Sequence, residues 1–140
     1  MTPLIELTEQ PDPRARETIL ALIRQYNDAR LGDTARGLVA VLVRDPDTRD
    51  VVGGLWGRIS RGKLYVENLG LPEDLRGAGL GARLMRMAEE NAAARGCNGA
   101  FLDTFSPRAR GFYESQGYQV FGRIDDHPPG HSRWFLHKTF

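Results

Sequence analysis

The stretch LPEDLRGAGLGARL, Leu71 to Leu84, decides how this sequence is read. It sets glycines at 77, 79 and 81 after an apolar run and at the head of a segment with helical spacing. Glycine in a helix costs roughly 0.5–1 kcal/mol relative to alanine, so three in this place imply a backbone demand. Without side chains the loop lets incoming oxygen atoms come close. The unpaired N–H groups of a starting helix then converge on one point, and the helix dipole adds positive potential. Arg76 adds a charge and a forked donor. In physical terms this is a cradle for a diphosphate. A nucleotide P-loop would need Gly-Lys-Ser or Gly-Lys-Thr, which does not follow here. A dinucleotide fingerprint needs glycine or alanine at the sixth position, held here by Ala82. The glycines alone therefore also fit a turn with tight helix packing.

Working outward, GLVAVLVRD, VVGGLWGRI and KLYVENLGL read as three strands with hairpin-length connections, hence antiparallel neighbours. Asp45-Pro46-Asp47 and Ser60 to Lys63 supply the turns. Residues 79 to 94 carry Leu80, Leu84, Met87 and Ala88 at helical spacing, and Gly96 fits the C′ position. GAFLDTF follows as a strand, which makes a parallel strand–helix–strand unit. Ser106 and Pro107 open a helix that stops near Gly117. YQVFGRI and SRWFLHKTF are further strands around the loop DDHPPGH, with the last strand expected at a sheet edge. At the other end, residues 3 to 8 read as a short first strand. DPRARETILALIRQYNDARLG reads as a helix capped by Asp12, with Ile19, Leu22, Ile23 and Tyr26 in one stripe. Residues 27 to 36 read as a short second helix or a loop.

The chain has 140 residues and a formal net charge of +1, from 19 basic and 18 acidic side chains. This length predicts one domain, residues 1–140. The charge balance predicts no nucleic-acid partner and no membrane-surface face. No apolar run reaches the roughly 18 residues of a membrane span. MTPLIELTEQ lacks a basic region ahead of an apolar one, so a cytoplasmic location is expected. One cysteine, Cys97, reads as a small buried hydrophobe, and three scattered histidines make no metal site.

Taken together the blocks resemble the GCN5-related N-acetyltransferase (GNAT) family. The match is R-x-x-G-x-G over Arg76, Gly77, Ala78, Gly79, Leu80 and Gly81, and then A-x-x-F-Y-E-x-x-G-Y from Ala109 to Tyr118. LYVENLGL before the loop and GAFLDTF after the helix stand where that family has strands. The phrase FGRIDDHPPGHSRWFLHK resembles a bacterial subgroup. The resemblance implies the acyl-CoA N-acyltransferase fold, an α/β (α+β) architecture. Its central sheet is mixed, of six to seven strands, flanked by helices and splayed at the family's fourth strand.

It also implies acetyl-CoA as donor. The amides from Gly77 to Ala82, with Arg76, would hold the pyrophosphate. The backbone of Leu69, Gly70 and Leu71 would pair with the pantetheine arm. Ser106 stands where the family often has an asparagine that contacts pantetheine. Tyr113 matches the family's tyrosine near the CoA sulfur and would act as acid toward the leaving thiolate, and the Leu69 N–H would polarise the acetyl carbonyl. Glu67 is the candidate base, since a carboxylate on this strand flanked by Val66 and Leu69 is open to desolvation. By alternation Tyr65, Glu67 and Leu69 share one face unless a bulge intervenes.

Tyr26, Asn27, Trp56, Thr104 and His131 are candidates for the acceptor side. Asp103 lies beside Thr104 where the cleft should open, and His127 and His131 flank a proline-rich loop. The acceptor expected is the primary amine of a small molecule, with a protein amine as the alternative. A CoA-binding sensor without turnover and a transferase of another acyl group are competing readings. A nucleotide-binding domain is a third. The apolar last strand, with Trp134, Phe135 and Leu136, is a candidate for pairing with a second copy into a homodimer.

Overall fold

The computed structural model describes residues 1–32 and 36–140, and its chain forms two compact units, Met1–Asp33 and Thr34–Phe140. The first unit contains helix α1, Pro13–Leu31. Asp12 caps it by accepting the Arg14 N–H at 2.9 Å, Pro13 takes the first turn, and Gly32 follows with φ at 78°. The helix continues through residues 27–31, where a separate second helix or a loop was expected. The rest of that segment includes residues 33–35, which lie outside the described residues. Residues 3–8 form no strand. Their apolar positions, 4, 5 and 7, do not alternate strictly, so the segment has no single face to bury.

The second unit is built on one six-stranded sheet. Its strands are β1 (Gly37–Arg44), β2 (Val51–Ser60), β3 (Lys63–Gly70), β4 (Gly99–Thr104), β5 (Gln119–Asp125) and β6 (Ser132–Thr139). Helix α2, Leu80–Ala94, links β3 to β4, and α3, Pro107–Ser115, links β4 to β5. A short 3₁₀ turn, Glu73–Leu75, precedes the glycine loop. The spatial order is β1-β2-β3-β4-β6-β5, with β3 and β4 parallel and every other neighbouring pair antiparallel. The last strand is thus interior, paired on both sides, and β1 and β5 are the edges. This corrects the expected edge and removes the route to a dimer through β6. Strand order is set by long-range pairing, which local hydrophobicity does not report.

One face of the sheet carries Val39, Leu55, Ile59, Leu64, Val66, Ala100, Leu102 and Leu136, all buried against α2 and α3. Leu55, Leu64, Met85, Leu102 and Leu136 are the largest fully buried side chains. Each such burial contributes about 1.5–3 kcal/mol. Both helices end as their glycines predict. Gly96 and Gly117 each have φ at 94°, and the following Cys97 and Tyr118 N–H groups return to the carbonyls of Ala92 and Tyr113. Cys97 is buried, and burial pushes its thiol up, which makes it a packing residue.

Two irregularities shape the centre. β3 and β4 pair over Lys63↔Gly99, Leu64↔Ala100 and Tyr65↔Phe101 and then part. Beyond that point β3 from Val66 to Gly70 is paired with β2 alone. Within β3, Gly57 pairs with Val66 and Trp56 with Asn68, so Glu67 is the extra residue of a bulge. The bulge resets the alternation. Leu69, opposite Leu55, joins the core face with Leu64 and Val66, while Asn68, opposite Trp56, joins the other face. Tyr65, Glu67 and Leu69 therefore do not share a face.

Candidate active site

The parting of β3 and β4 opens a cleft of about 480 Å³. One wall is Leu69, Gly70 and Leu71 at the end of β3, and a second is the loop and first turn of α2, Arg76 to Ala82. A third is α3, with Ser106, Arg108, Ala109, Phe112 and Tyr113. Every residue assigned to the cofactor from sequence lines this cleft except Ala78, whose neighbours on both sides do.

The glycines act in two ways. Gly77 and Gly79 have φ at 84° and 77°, and a Cβ at either would meet nothing within 4 Å, so they serve a left-handed loop that faces open space. Gly81 is needed for packing, because its Cβ would stand 3.2 Å from the Phe112 ring on α3. Among the described residues the N–H groups from Gly77 to Ala82 have no hydrogen-bond partner, and the first return bond is Arg83 to the Gly79 carbonyl. Arg76 fixes the loop's entry by donating from Nε to the Leu71 carbonyl at 3.0 Å.

Ser106 is the N-cap of α3 and accepts the Ala109 N–H at 3.1 Å. Thr104 Oγ1 accepts the Ser106 N–H at 3.1 Å. Both side chains therefore shape the turn into α3. That helix delivers Tyr113, 8% exposed, between the rings of Phe112 and Tyr118 at 5.3 and 6.0 Å. Burial pushes the Tyr113 phenol above its ordinary value, and the charge of Asp103 adds to the shift. Tyr113 is thus a protonated donor at neutral pH.

On the other face of the sheet, at the same split, Tyr65 donates to Asp103 Oδ1 at 3.0 Å, and Arg133 Nε donates to Oδ2 at 2.7 Å. Tyr65 also stacks on Phe101, with centroids 4.8 Å apart. Arg133 lies 5.2 Å from the Phe105 ring centre and 5.1 Å from that of Phe135. Desolvation and the Asp103 bond both raise the Tyr65 phenol. Glu67 is ion-paired with Arg58 of β2. Trp56, on this face opposite Asn68, is 44% exposed and is not part of the core. The turn between β5 and β6 is closed by His127 N–H to the His131 carbonyl at 3.0 Å, and the His127 ring meets Phe105 edge-on at 5.0 Å. The His131 side chain is exposed. Tyr26 and Asn27 belong to the first unit, where Arg30 donates to the Tyr26 hydroxyl at 3.2 Å. Among the described residues no group of three His, Cys, Asp or Glu is arranged to hold a metal, and no helix is long and apolar enough to cross a membrane.

Sequence reasoning missed the joining of Tyr65, Asp103 and Arg133, because β3, β4 and β6 meet only in space. It also missed Arg108, although an arginine in the first turn of a helix is itself a signal.

The model of the acetyltransferase (GNAT) family matches residues 3–118. The chain belongs to the GNAT family. Among its GNAT relatives, acetyltransferase Atu2258 of Agrobacterium fabrum is 38% identical over 134 residues, which cover 96% of this chain and 97% of that protein. An acetyltransferase crystal structure from Agrobacterium tumefaciens superposes with a TM-score of 0.92 at 37% identity, covering 98% of this chain and 99% of the other. One from Bacillus cereus gives a TM-score of 0.85 at 30% identity, over 96% and 98%. The blasticidin-S acetyltransferase of Streptomyces morookaense is 40% identical over 82 residues, 58% of this chain and 60% of that one. This GNAT chain is an acetyltransferase by family and fold. GNAT folds typically bind acetyl-CoA, and the cleft fits that group. It offers a run of unpartnered amides, open space where glycine side chains would project, and a strand edge freed by the split.

Proposed function

We propose that the chain moves the acetyl group of acetyl-CoA to the primary amine of a small molecule, by direct attack in a ternary complex. The observation that carries this reading is the meeting, in one cleft, of the unpartnered amides of Gly77–Ala82 with the buried, protonated Tyr113. The amides and Arg76 suit a diphosphate, and the free edge of Leu69–Leu71 suits the amides of a pantetheine arm. When bound, acetyl-CoA supplies a thioester, whose carbon is open to an amine nucleophile. Tyr113 holds a proton for the departing sulfur, and the Leu69 N–H is the donor for the carbonyl oxygen as charge develops there. Glu67, standing out of register on its bulge, takes the amine proton directly or through water. Trp56, Thr104 and His131 are assigned to the acceptor. The stretch related to blasticidin-S acetyltransferase, a small-molecule enzyme by name, favours a small acceptor over a protein amine.

The test is release of free thiol from acetyl-CoA in the presence of a panel of primary amines, with propionyl-CoA as a second donor. Amine-dependent release that is lost in Tyr113→Phe supports the assignment. Tight CoA binding with no amine-dependent release would make the protein a CoA sensor.

A further inference from the structure

Two arginines line the cofactor cleft, and the diphosphate reading uses Arg76 alone. The other, Arg108, follows the cap Ser106 and Pro107 and so stands in the first turn of α3. A cation there opposes the helix dipole, which favours negative charge at that end. An acidic neighbour is the usual compensation, and the first turn of α3 has none. Three other arginines near the site have protein partners. Arg76 is tied to the Leu71 carbonyl, Arg133 to Asp103, and Arg110 lies 3.4 Å from Glu114 and 4.8 Å from the Trp134 ring centre. Arg108 is exposed, and among the described residues its guanidinium has no hydrogen bond or ion pair. An arginine set against the local field, unpaired and on the wall of a cleft, breaks a local rule for no structural gain. Such exceptions belong to functional sites.

Coenzyme A carries a diphosphate and, apart from it, a phosphomonoester on the ribose 3′ oxygen. The amides of Gly77–Ala82 and Arg76 account for the diphosphate. We propose that Arg108 grips the ribose 3′-phosphate, so that this chain selects CoA over dephospho-CoA. This rests on the acetyl-CoA reading above and adds a specificity-determining residue to it. The guanidinium fork matches two phosphate oxygens at once, and a terminal phosphomonoester presents more charge than either phosphate of the diphosphate.

Calorimetric titration of the full chain and of Arg108→Gln, each with CoA and with dephospho-CoA, tests it. The native chain is expected to bind CoA more tightly than dephospho-CoA. Arg108→Gln should lose roughly tenfold or more in CoA affinity, the size of a charge-assisted pair, and should bind dephospho-CoA as before. Arg108→Lys, which keeps the charge without the fork, should retain part of the preference. An unchanged unfolding midpoint without ligand shows that the variants are folded. The inference is overturned if Arg108→Gln keeps the native preference, if it loses equally on both ligands, or if the native chain shows no preference. A native chain that binds neither ligand sinks the acetyl-CoA reading itself.

Discussion

On the helix-bearing face of the sheet, the split between β3 and β4 is lined by main-chain donors, glycines and the buried Tyr113. On the opposite face the same split is bordered by side chains, with Asp103 held between Tyr65 and Arg133, and Glu67 held by Arg58. The first side is made by local sequence, a loop running into a helix. The second is assembled from four strands. A site that presents backbone recognises what every family member shares, a phosphate and an amide. A site that presents side chains is where one acceptor is told from another.

Substitutions on either side should separate the two. The largest effect is expected from Tyr113→Phe. Thiol release should fall by about 10²–10⁴-fold, the range for a lost general acid, with CoA affinity little changed. A mild loss would move the acid elsewhere and leave Tyr113 as packing. Next is Gly79→Val. It forces a β-branched residue into a left-handed conformation at roughly 1–2 kcal/mol or more and fills the open loop, so CoA affinity should fall by about tenfold to a hundredfold. Asp103→Asn should leave CoA affinity intact. It removes one of the two acceptor oxygens and the charge that faces Arg133, and chemical denaturation should show a loss of about 2 kcal/mol. If its CoA affinity fell as far as that of Gly79→Val, the division between the two faces would be wrong. Ser106→Ala removes the α3 cap and should cost about 1 kcal/mol.

The smallest effect concerns pH. Burial raises the phenols of Tyr113 and Tyr118 above their ordinary value of 10.0. The folded chain therefore holds these protons more tightly than the unfolded one. Their contribution to stability is whole below pH 10 and is lost as pH climbs beyond it. Denaturation midpoints should hold steady from neutrality to pH 10 as far as these groups are concerned and fall above it, together with the appearance of phenolate absorbance.

What could be read from sequence follows the same division. Gly77, Gly79 and Gly81 announce the cofactor wall because a backbone demand leaves a residue type behind. Ser106, Pro107, Gly96 and Gly117 announce helix ends for the same reason. The interior place of β6 left no such mark, since Trp134, Phe135 and Leu136 are apolar wherever the strand lies. The bulge at Glu67 left none either, because the extra residue is an ordinary glutamate between ordinary strand residues. Tyr65, Asp103 and Arg133 are 38 and 30 positions apart along the chain, so no spacing rule joins them.

The most direct test of the whole account is a titration of isotope-labelled protein with CoA, followed through the backbone amide resonances. The amides from Gly77 to Ala82 should shift most, with those of Leu69 to Leu71 behind them, and saturate together. Saturable CoA binding that leaves the Gly77–Ala82 amides unmoved, or no binding at all, would contradict it.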